Sequence, residues 1–160
     1  MWLLNLILIV LLWVIFFQDA RDRMVYWFLY PLVGIMALAA QITHVGLQVA
    51  VANVLVNLSF ILILVAVCYA YARLRLDKPF REVIGLGDVL FFAFICFSFS
   101  TISFLVLFVF SMIFALALHL RLYKTQSQTT VPLAGYMALF FSAVYLAGCF
   151  NPMNSILYSY

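Results

Sequence analysis

The segment Gly85-Leu86-Gly87-Asp88-Val89-Leu90-Phe91-Phe92 places a carboxylate directly before a long apolar stretch. From residue 89 to residue 120 this stretch contains no Asp, Glu, Lys or Arg. A charged side chain at the edge of a membrane segment is costly, and such residues usually mark a functional site with a partner group nearby. Asp19, at the end of the first apolar segment, is the candidate partner.

The composition is that of an integral membrane protein. Of the 160 residues, 69% are hydrophobic and 8% are charged, and the mean hydropathy is +1.25, which lies far outside the range of soluble domains. We predict a single domain over 1–160, because no soluble region is long enough for a separate core. Cys68, Cys96 and Cys149 stand alone in apolar segments without zinc-site spacing, so neither a metal nor a cofactor is predicted.

The distribution of charge predicts the topology. All Lys and Arg fall in three short breaks between apolar runs, namely Arg21 and Arg23, then Arg73, Arg75, Lys78 and Arg81, then Arg121 and Lys124. The connections near 43–46 and 98–103 carry no charged residue. Because basic residues collect in cytoplasmic loops, we expect the three breaks to be cytoplasmic and both termini to lie on the outer side.

This arrangement predicts an all-α bundle of six transmembrane helices. A crossing of the ~30 Å hydrocarbon core needs about 20 apolar residues. One helix over the whole stretch 89–120 would overshoot the core, and a single crossing would move Arg121 to the outside. We therefore expect two helices turning near Ser98-Phe99-Ser100-Thr101, with one tilted helix as the alternative. The predicted spans are 1–17, 26–43, 47–70, 84–100, 102–120 and 131–149.

Two carboxylates at one membrane face can hydrolyse a peptide bond. One must be ionised to activate water, and the other must be protonated to donate to the carbonyl. Close like charges cannot both ionise, and the pair titrates as a unit, so neither role is assigned to either residue. Gly85 and Gly87 would permit backbone angles that other residues avoid, and would let an extended substrate pair with the backbone.

Three stretches resemble one family. Gly85-Leu86-Gly87-Asp88 matches the G-x-G-D motif of type IV prepilin peptidases, archaeal preflagellin peptidases and presenilins. Asp19-Ala20-Arg21-Asp22-Arg23-Met24-Val25 resembles the pattern D-h-[KR]-x-R-x-[IV] of the first two groups. Val131-Pro132-Leu133-Ala134-Gly135 is similar to a proline-containing stretch at the start of their last helix. The resemblance spans nearly the whole chain, at the length of the minimal preflagellin-type core.

The resemblance implies a membrane aspartic endopeptidase with Asp19 and Asp88 as the catalytic pair. Gly85 and Gly87 would contact the substrate backbone, and Arg23 and Pro132 would support the site. The implied substrates are prepilin-like or pseudopilin-like proteins, cut between a short basic leader and a hydrophobic helix. Cleavage would occur at the cytoplasmic face of the inner or cytoplasmic membrane. No nucleic acid is implied as a partner, and a monomer would suffice because one chain supplies both aspartates.

The chain also departs from the family pattern. Many bacterial members have proline where this chain has Tyr26 and lysine where it has Leu90. Only a short loop separates the first two helices, so we expect no counterpart of the methyltransferase activity of the larger bacterial enzymes. The departures keep open a non-catalytic scaffold of a pilus or secretion system. A small proton-coupled transporter is a third hypothesis, although it predicts acids deep within helices.

Several polar residues have simpler interpretations. Asp22 is expected to be a solvated loop residue, although it is the obvious replacement should Asp19 have no role. Asp88 could cap the fourth helix as well as act in a site. Four residues are predicted to be structural, with interhelical hydrogen bonds for the first two: Asn53, Asn57, His44 and His119.

Overall fold

The described part of the protein is entirely helical. The computed structural model describes residues 2–76, 84–122, 131–150 and Tyr158. These residues form six α-helices and no strand, which confirms the predicted all-α class. The helices are α1 (Trp2–Asp22), α2 (Leu29–Val45), α3 (Leu47–Tyr71), α4 (Leu86–Ile95), α5 (Thr101–Leu122) and α6 (Leu133–Phe150), and a π-helical turn, Ala72–Leu76, extends α3.

Three helical segments are long and apolar enough to cross a membrane: Trp2–Asp22, Leu47–Arg75 and Thr101–Leu122. At 1.5 Å per residue the 21 residues of α1 are about 31 Å long, close to the thickness of the hydrocarbon core. The remaining helices are shorter but equally apolar. Large apolar side chains such as Leu62 and Ile63 are exposed on the surface of the bundle, as expected of a protein that contacts lipid.

Helix α6 lies at the centre of the bundle and packs most extensively against α1. The face of α1 that it covers carries the buried residues Asn5, Leu8, Leu12 and Ile15. Their alternating spacing of three and four keeps them on one side of the helix. Asp19 continues this spacing, so the helical period turns its side chain inward toward α6.

The first helix extends one turn beyond its predicted end at residue 17. It continues through Asp22, because no glycine or proline interrupts the charged segment that follows the apolar run. The helix ends at Arg23, whose φ of 56° is the left-handed conformation common just past helix C-termini. Asp19 therefore lies on the last turn of α1 and not in a loop.

The predicted break in the long apolar stretch is confirmed, but the fourth helix is shorter than the predicted span 84–100. Helix α4 has ten residues, about 15 Å, and ends at Ile95. The non-helical residues 98–100 are completely buried. Asn57 of α3 donates hydrogen bonds to the carbonyls of Cys96 at 3.0 Å and Phe99 at 3.2 Å. Irregular backbone at membrane depth is tolerated where protein buries it in this way.

Interhelical hydrogen bonding by both asparagines is confirmed. The side-chain amide of Asn57 donates to the backbone carbonyls of Cys96 and Phe99, which follow α4. One turn earlier, Asn53 accepts a 3.3 Å hydrogen bond from the hydroxyl of Thr101, the first residue of α5. One face of α3 therefore holds both sides of the break between α4 and α5.

Helices α2 and α4 approach each other closely at Gly34. A Cβ atom at Gly34 would lie 2.7 Å from Cδ1 of Phe94, a separation that side chains do not tolerate. Tyr30, Gly34 and Ala37 are buried at three- and four-residue spacing on α2. This face of α2 lies against α4 and brings Tyr30 to the start of that helix.

The described arginines lie at helix ends. Arg21 and Arg23 are at the end of α1, Arg73 and Arg75 follow α3, and Arg121 is in the last turn of α5. The other charged positions of the predicted cytoplasmic breaks, Asp77, Lys78, Arg81, Glu82 and Lys124, lie outside the described residues.

Candidate active site

Asp19 and Asp88 meet at the first turn of α6. The carboxylate of Asp88 accepts a 2.9 Å hydrogen bond from the N–H of Ala134, and that of Asp19 accepts a 2.6 Å hydrogen bond from the N–H of Gly135. These are consecutive amides in the first turn of a helix, where N–H groups lack an intrahelical partner. The two carboxylates are therefore neighbours, and their charges act on each other.

Pro132 determines where α6 begins. Its carbonyl accepts the first helical hydrogen bond, from Tyr136 N–H at 3.1 Å. Proline suits a helix start because its φ is fixed near the helical value and it has no N–H group to satisfy. The positive end of the α6 dipole then faces the carboxylates and stabilises negative charge on them. Pro132 thus lies next to the candidate site and shapes it through the backbone.

Gly135 is required by the close approach of α1 to α6. A Cβ atom at this position would lie 2.9 Å from Cβ of Asp19 and 3.0 Å from its Oδ2. Only glycine lets another side chain come this near the backbone. The sequence analysis included Gly135 in a family-like stretch but gave it no role of its own. Its position three residues after a proline that starts a helix was the available signal.

Asp88 has a structural role as well as a place in the site. It is the third residue of α4, which begins after the extended residue Gly85. The N–H of Asp88 donates to the Gly85 carbonyl at 3.1 Å, and the N–H of Gly85 donates back to the Asp88 carboxylate. This reciprocal arrangement resembles a capping box. The predicted N-cap position of Asp88 is wrong, because Gly85 is the N-cap residue, and Asp88 binds its N–H from the third helical position.

One of the two reasons predicted for the motif glycines, the use of backbone angles that other residues avoid, is wrong, whereas the predicted pairing with an extended substrate stays a prediction. Among the described glycines only Gly46 has a positive φ, so Gly85 and Gly87 do not use backbone angles reserved for glycine. What they provide is space. A Cβ on Gly85 would lie 3.0 Å from Oδ2 of Asp88, and one on Gly87 would lie 2.9 Å from the hydroxyl of Tyr30. Gly87 is also helical, which leaves Gly85 as the one motif glycine with extended backbone.

Tyr30 is a site residue that the sequence analysis missed. Its side chain is almost completely buried, and its hydroxyl is close enough to Asp19 and Asp88 for both charges to act on it. A tyrosine near the start of a membrane helix is ordinarily an interfacial residue. The local sequence therefore gave no signal that distinguished Tyr30 from the many other aromatic residues.

Arg23 and Asp22, at the end of α1, lie in different surroundings, since only Arg23 faces the two carboxylates. The positive charge of Arg23 acts on both Asp19 and Asp88, so this residue belongs to the site. Its left-handed backbone is unfavourable for a side chain by roughly 1–2 kcal/mol, and such strain often occurs at functional sites. Asp22 is 62% exposed and lies 3.8 Å from the exposed Arg21, which confirms its prediction as a solvated residue.

A cavity of about 990 Å³ opens beside the two carboxylates. Its polar wall includes Asp19, Asp88, Tyr30 and Arg23. Its apolar wall is formed mainly by Met24, Val25, Met112, Ile113 and Leu116. His119, interpreted from the sequence as purely structural, also lines this cavity. Within the described ranges, no group of three His, Cys, Asp or Glu side chains is placed to hold a metal ion.

No protein-family model, curated protein or solved structure matches the chain. The site itself combines two adjacent carboxylates, a nearby cation, a phenolic hydroxyl and a cavity lined by both polar and apolar side chains. Such a site can activate water on one carboxylate while the other donates a proton.

Proposed function

We propose that this chain is a membrane aspartic endopeptidase of the prepilin- and preflagellin-peptidase type, with Asp19 and Asp88 as its catalytic pair. The main support is the pair of hydrogen bonds from the consecutive amides of Ala134 and Gly135. They hold two carboxylates from different helices side by side at the wall of one cavity. The three stretches that resemble the family, around Asp19, Asp88 and Pro132, come together at this point.

The proposed reaction uses both protonation states of the pair. The ionised carboxylate takes a proton from a water molecule, whose oxygen attacks the carbonyl carbon of the scissile peptide. The protonated carboxyl group gives its proton to the carbonyl oxygen, which produces a neutral tetrahedral intermediate. Collapse of this intermediate breaks the C–N bond, and the leaving amine takes a proton from the carboxyl group that was charged earlier. One hydroxyl group of the intermediate returns its proton to the other carboxylate, which leaves a carboxylic acid product and restores the starting protonation of the pair. The dipole of α6 favours one negative charge in the pair throughout.

The proposed substrate is a prepilin-like or pseudopilin-like membrane protein. Its leader would be removed where a hydrophobic helix begins. The apolar wall of the cavity, with Met112, Ile113 and Leu116 on α5, gives an apolar substrate helix a surface next to the carboxylates. Binding there would place the peptide bond that precedes the helix beside Asp19 and Asp88.

In the proposed topology the chain follows a six-segment path in which the ten-residue α4 reaches only about half-way across the core, and the site faces the cytoplasm. The arginines that follow α1 and α5 lie at the end of the bundle that carries the carboxylates, as the positive-inside rule requires. The uncharged connection at Gly46 would then face outward, as would both termini, while residues 98–100 would turn the chain inside the bundle. The protein would reside in the inner or cytoplasmic membrane.

A non-catalytic scaffold is the second candidate, and one observation favours it. Both aspartates bind the free amides of α6, so they would stabilise the bundle even without any chemistry. The two functions differ in what they require of the two aspartates. Peptide hydrolysis requires the carboxylates themselves, whereas a scaffold requires only that α1, α4 and α6 stay together.

Cleavage of a leader-bearing substrate tests the proposal. The full chain would be co-expressed in membranes with a prepilin-like protein, and the substrate's mass and new N-terminus would be determined. The matched control is the double variant Asp19→Asn, Asp88→Asn at equal abundance. Removal of the leader by the wild type alone supports the endopeptidase. Intact substrate with both proteins, across several leader sequences, would favour the scaffold.

A further inference from the structure

We propose that Tyr30 is a third catalytic residue, whose hydroxyl donates a hydrogen bond to the carbonyl oxygen of the scissile peptide bond. The inference rests on the proposed endopeptidase function and adds a residue to it. None of the three family-like stretches contains Tyr30.

The position of the hydroxyl is the first support. Tyr30 lies in the first turn of α2 and is only 2% exposed, yet it lines the cavity that contains the two carboxylates. The charges of both Asp19 and Asp88 act on the phenol group. A buried side chain thus directs its one polar atom into the space that the reacting groups share.

The chemistry of the site calls for a hydrogen-bond donor at this point. Negative charge develops on the substrate carbonyl oxygen during attack, and fixed donors aimed at that oxygen accelerate such reactions. The amides of Ala134 and Gly135 already donate to the carboxylates, so they are engaged. A phenol is neutral at ordinary pH and has one O–H to donate. In the proposed step Tyr30 keeps its proton, while the protonated aspartate supplies the proton that the carbonyl oxygen gains.

Gly87 provides a second, independent support. A Cβ atom on Gly87 would meet the Tyr30 hydroxyl at 2.9 Å, whereas the ring carbon bearing it would be 3.8 Å away, an ordinary contact. The absence of a side chain at Gly87 therefore makes room for one atom, the hydroxyl oxygen. If Tyr30 served packing alone, this space would not be needed, because a phenylalanine at position 30 would fit beside an alanine at position 87.

The kinetic test uses Tyr30→Phe in purified full-length protein with a prepilin-like substrate. Loss of a donor to the developing oxyanion is expected to lower kcat by about 10²-fold, with KM changed much less. Tyr145→Phe removes the hydroxyl of another fully buried tyrosine and serves as the control. Unchanged kcat in Tyr30→Phe, while the wild type cleaves, would overturn this inference alone. Failure of the wild type to cleave would overturn the proposed function and the inference together.

A double-mutant cycle tests the position of the hydroxyl without any assay of activity. Gly87→Ala is expected to lower the melting temperature when Tyr30 is present, and to have little effect in the Tyr30→Phe background, where the close contact is gone. Neighbouring residues that share a contact show such non-additivity. Equal effects of Gly87→Ala in both backgrounds would contradict the placement of the hydroxyl. A fall in stability of Tyr30→Phe with full kcat per folded molecule would show a purely structural residue.

Discussion

The carboxylate of Asp19 accepts a 2.6 Å hydrogen bond from the N–H of Gly135, which lies 116 positions further along the chain. A hydrogen bond to an ionised carboxylate is short and stronger than one between neutral groups. The preceding amide, Ala134, does the same for Asp88. The proposed catalytic pair therefore also holds the end of α1 and the start of α4 against the start of α6.

The first prediction concerns Gly135→Ala. In an ordinary helix this change is favourable by about 1 kcal/mol. Here the new methyl group would lie 2.9 Å from Cβ of Asp19, so α1 must move away from α6. We expect a lower melting temperature and, because a displacement of about 1 Å can lower rates by about 10²-fold, a large loss of cleavage.

Ala143→Gly, at an exposed position on the same helix, is the control for that experiment. It should show only the usual helix penalty of about 1 kcal/mol and should keep full activity. A Gly135→Ala variant that is both more stable than the wild type and fully active would contradict the close contact.

The second prediction concerns Asn57→Ala. This change leaves the buried carbonyls of Cys96 and Phe99 without their donor, so unfolding should become easier by about 1–3 kcal/mol. Asn53→Ala should have a smaller effect, because Asn53 is only half-buried and accepts a single 3.3 Å hydrogen bond. Thermal denaturation in one detergent compares the two variants. Equal losses of stability in the two variants would show that the Asn57 hydrogen bonds do not stabilise the break between α4 and α5.

The third prediction separates backbone from charge at Arg23. Arg23→Gly relieves the left-handed conformation, worth roughly 1–2 kcal/mol, but removes the cation that acts on both carboxylates. We therefore expect equal or higher stability together with lower cleavage activity. Arg23→Lys keeps both the strain and the charge and should retain more activity than Arg23→Gly. Full activity in Arg23→Gly would exclude an electrostatic role.

The end of the first apolar segment was the predicted position of Asp19, and the helical period of α1 explains why its side chain points inward. Residues 12, 15 and 19 repeat with the helical period, so a carboxylate at 19 shares the face of Leu12 and Ile15. The break before α5 was predicted near Ser98-Phe99-Ser100-Thr101, because length and charge disfavoured a single crossing, with one tilted helix as the alternative. Both conclusions follow from local pattern and the thickness of a bilayer.

The remaining features depend on contacts between distant segments. The early end of α4 at Ile95 is stabilised by Asn57, 39 and 42 positions before the carbonyls it binds, and no local pattern reports such a bond. The same holds for Tyr30 and Gly87, which meet only because α2 packs on α4. The motif glycines were interpreted through backbone angles and substrate approach, whereas in the structure they leave space for the side chains of Asp88 and Tyr30.

Substitution of single aspartates tests whether Asp19 and Asp88 form the catalytic pair. Cleavage of a prepilin-like substrate would be measured for Asp19→Asn, Asp88→Asn and Asp22→Asn at matched abundance in membranes. Asparagine retains an oxygen that can accept from Ala134 or Gly135, so all three variants should fold. We expect the Asp19→Asn and Asp88→Asn variants to lose cleavage activity, and the Asp22→Asn variant, changed at an exposed residue, to keep it. Cleavage that persists in folded Asp19→Asn or Asp88→Asn would contradict this expectation.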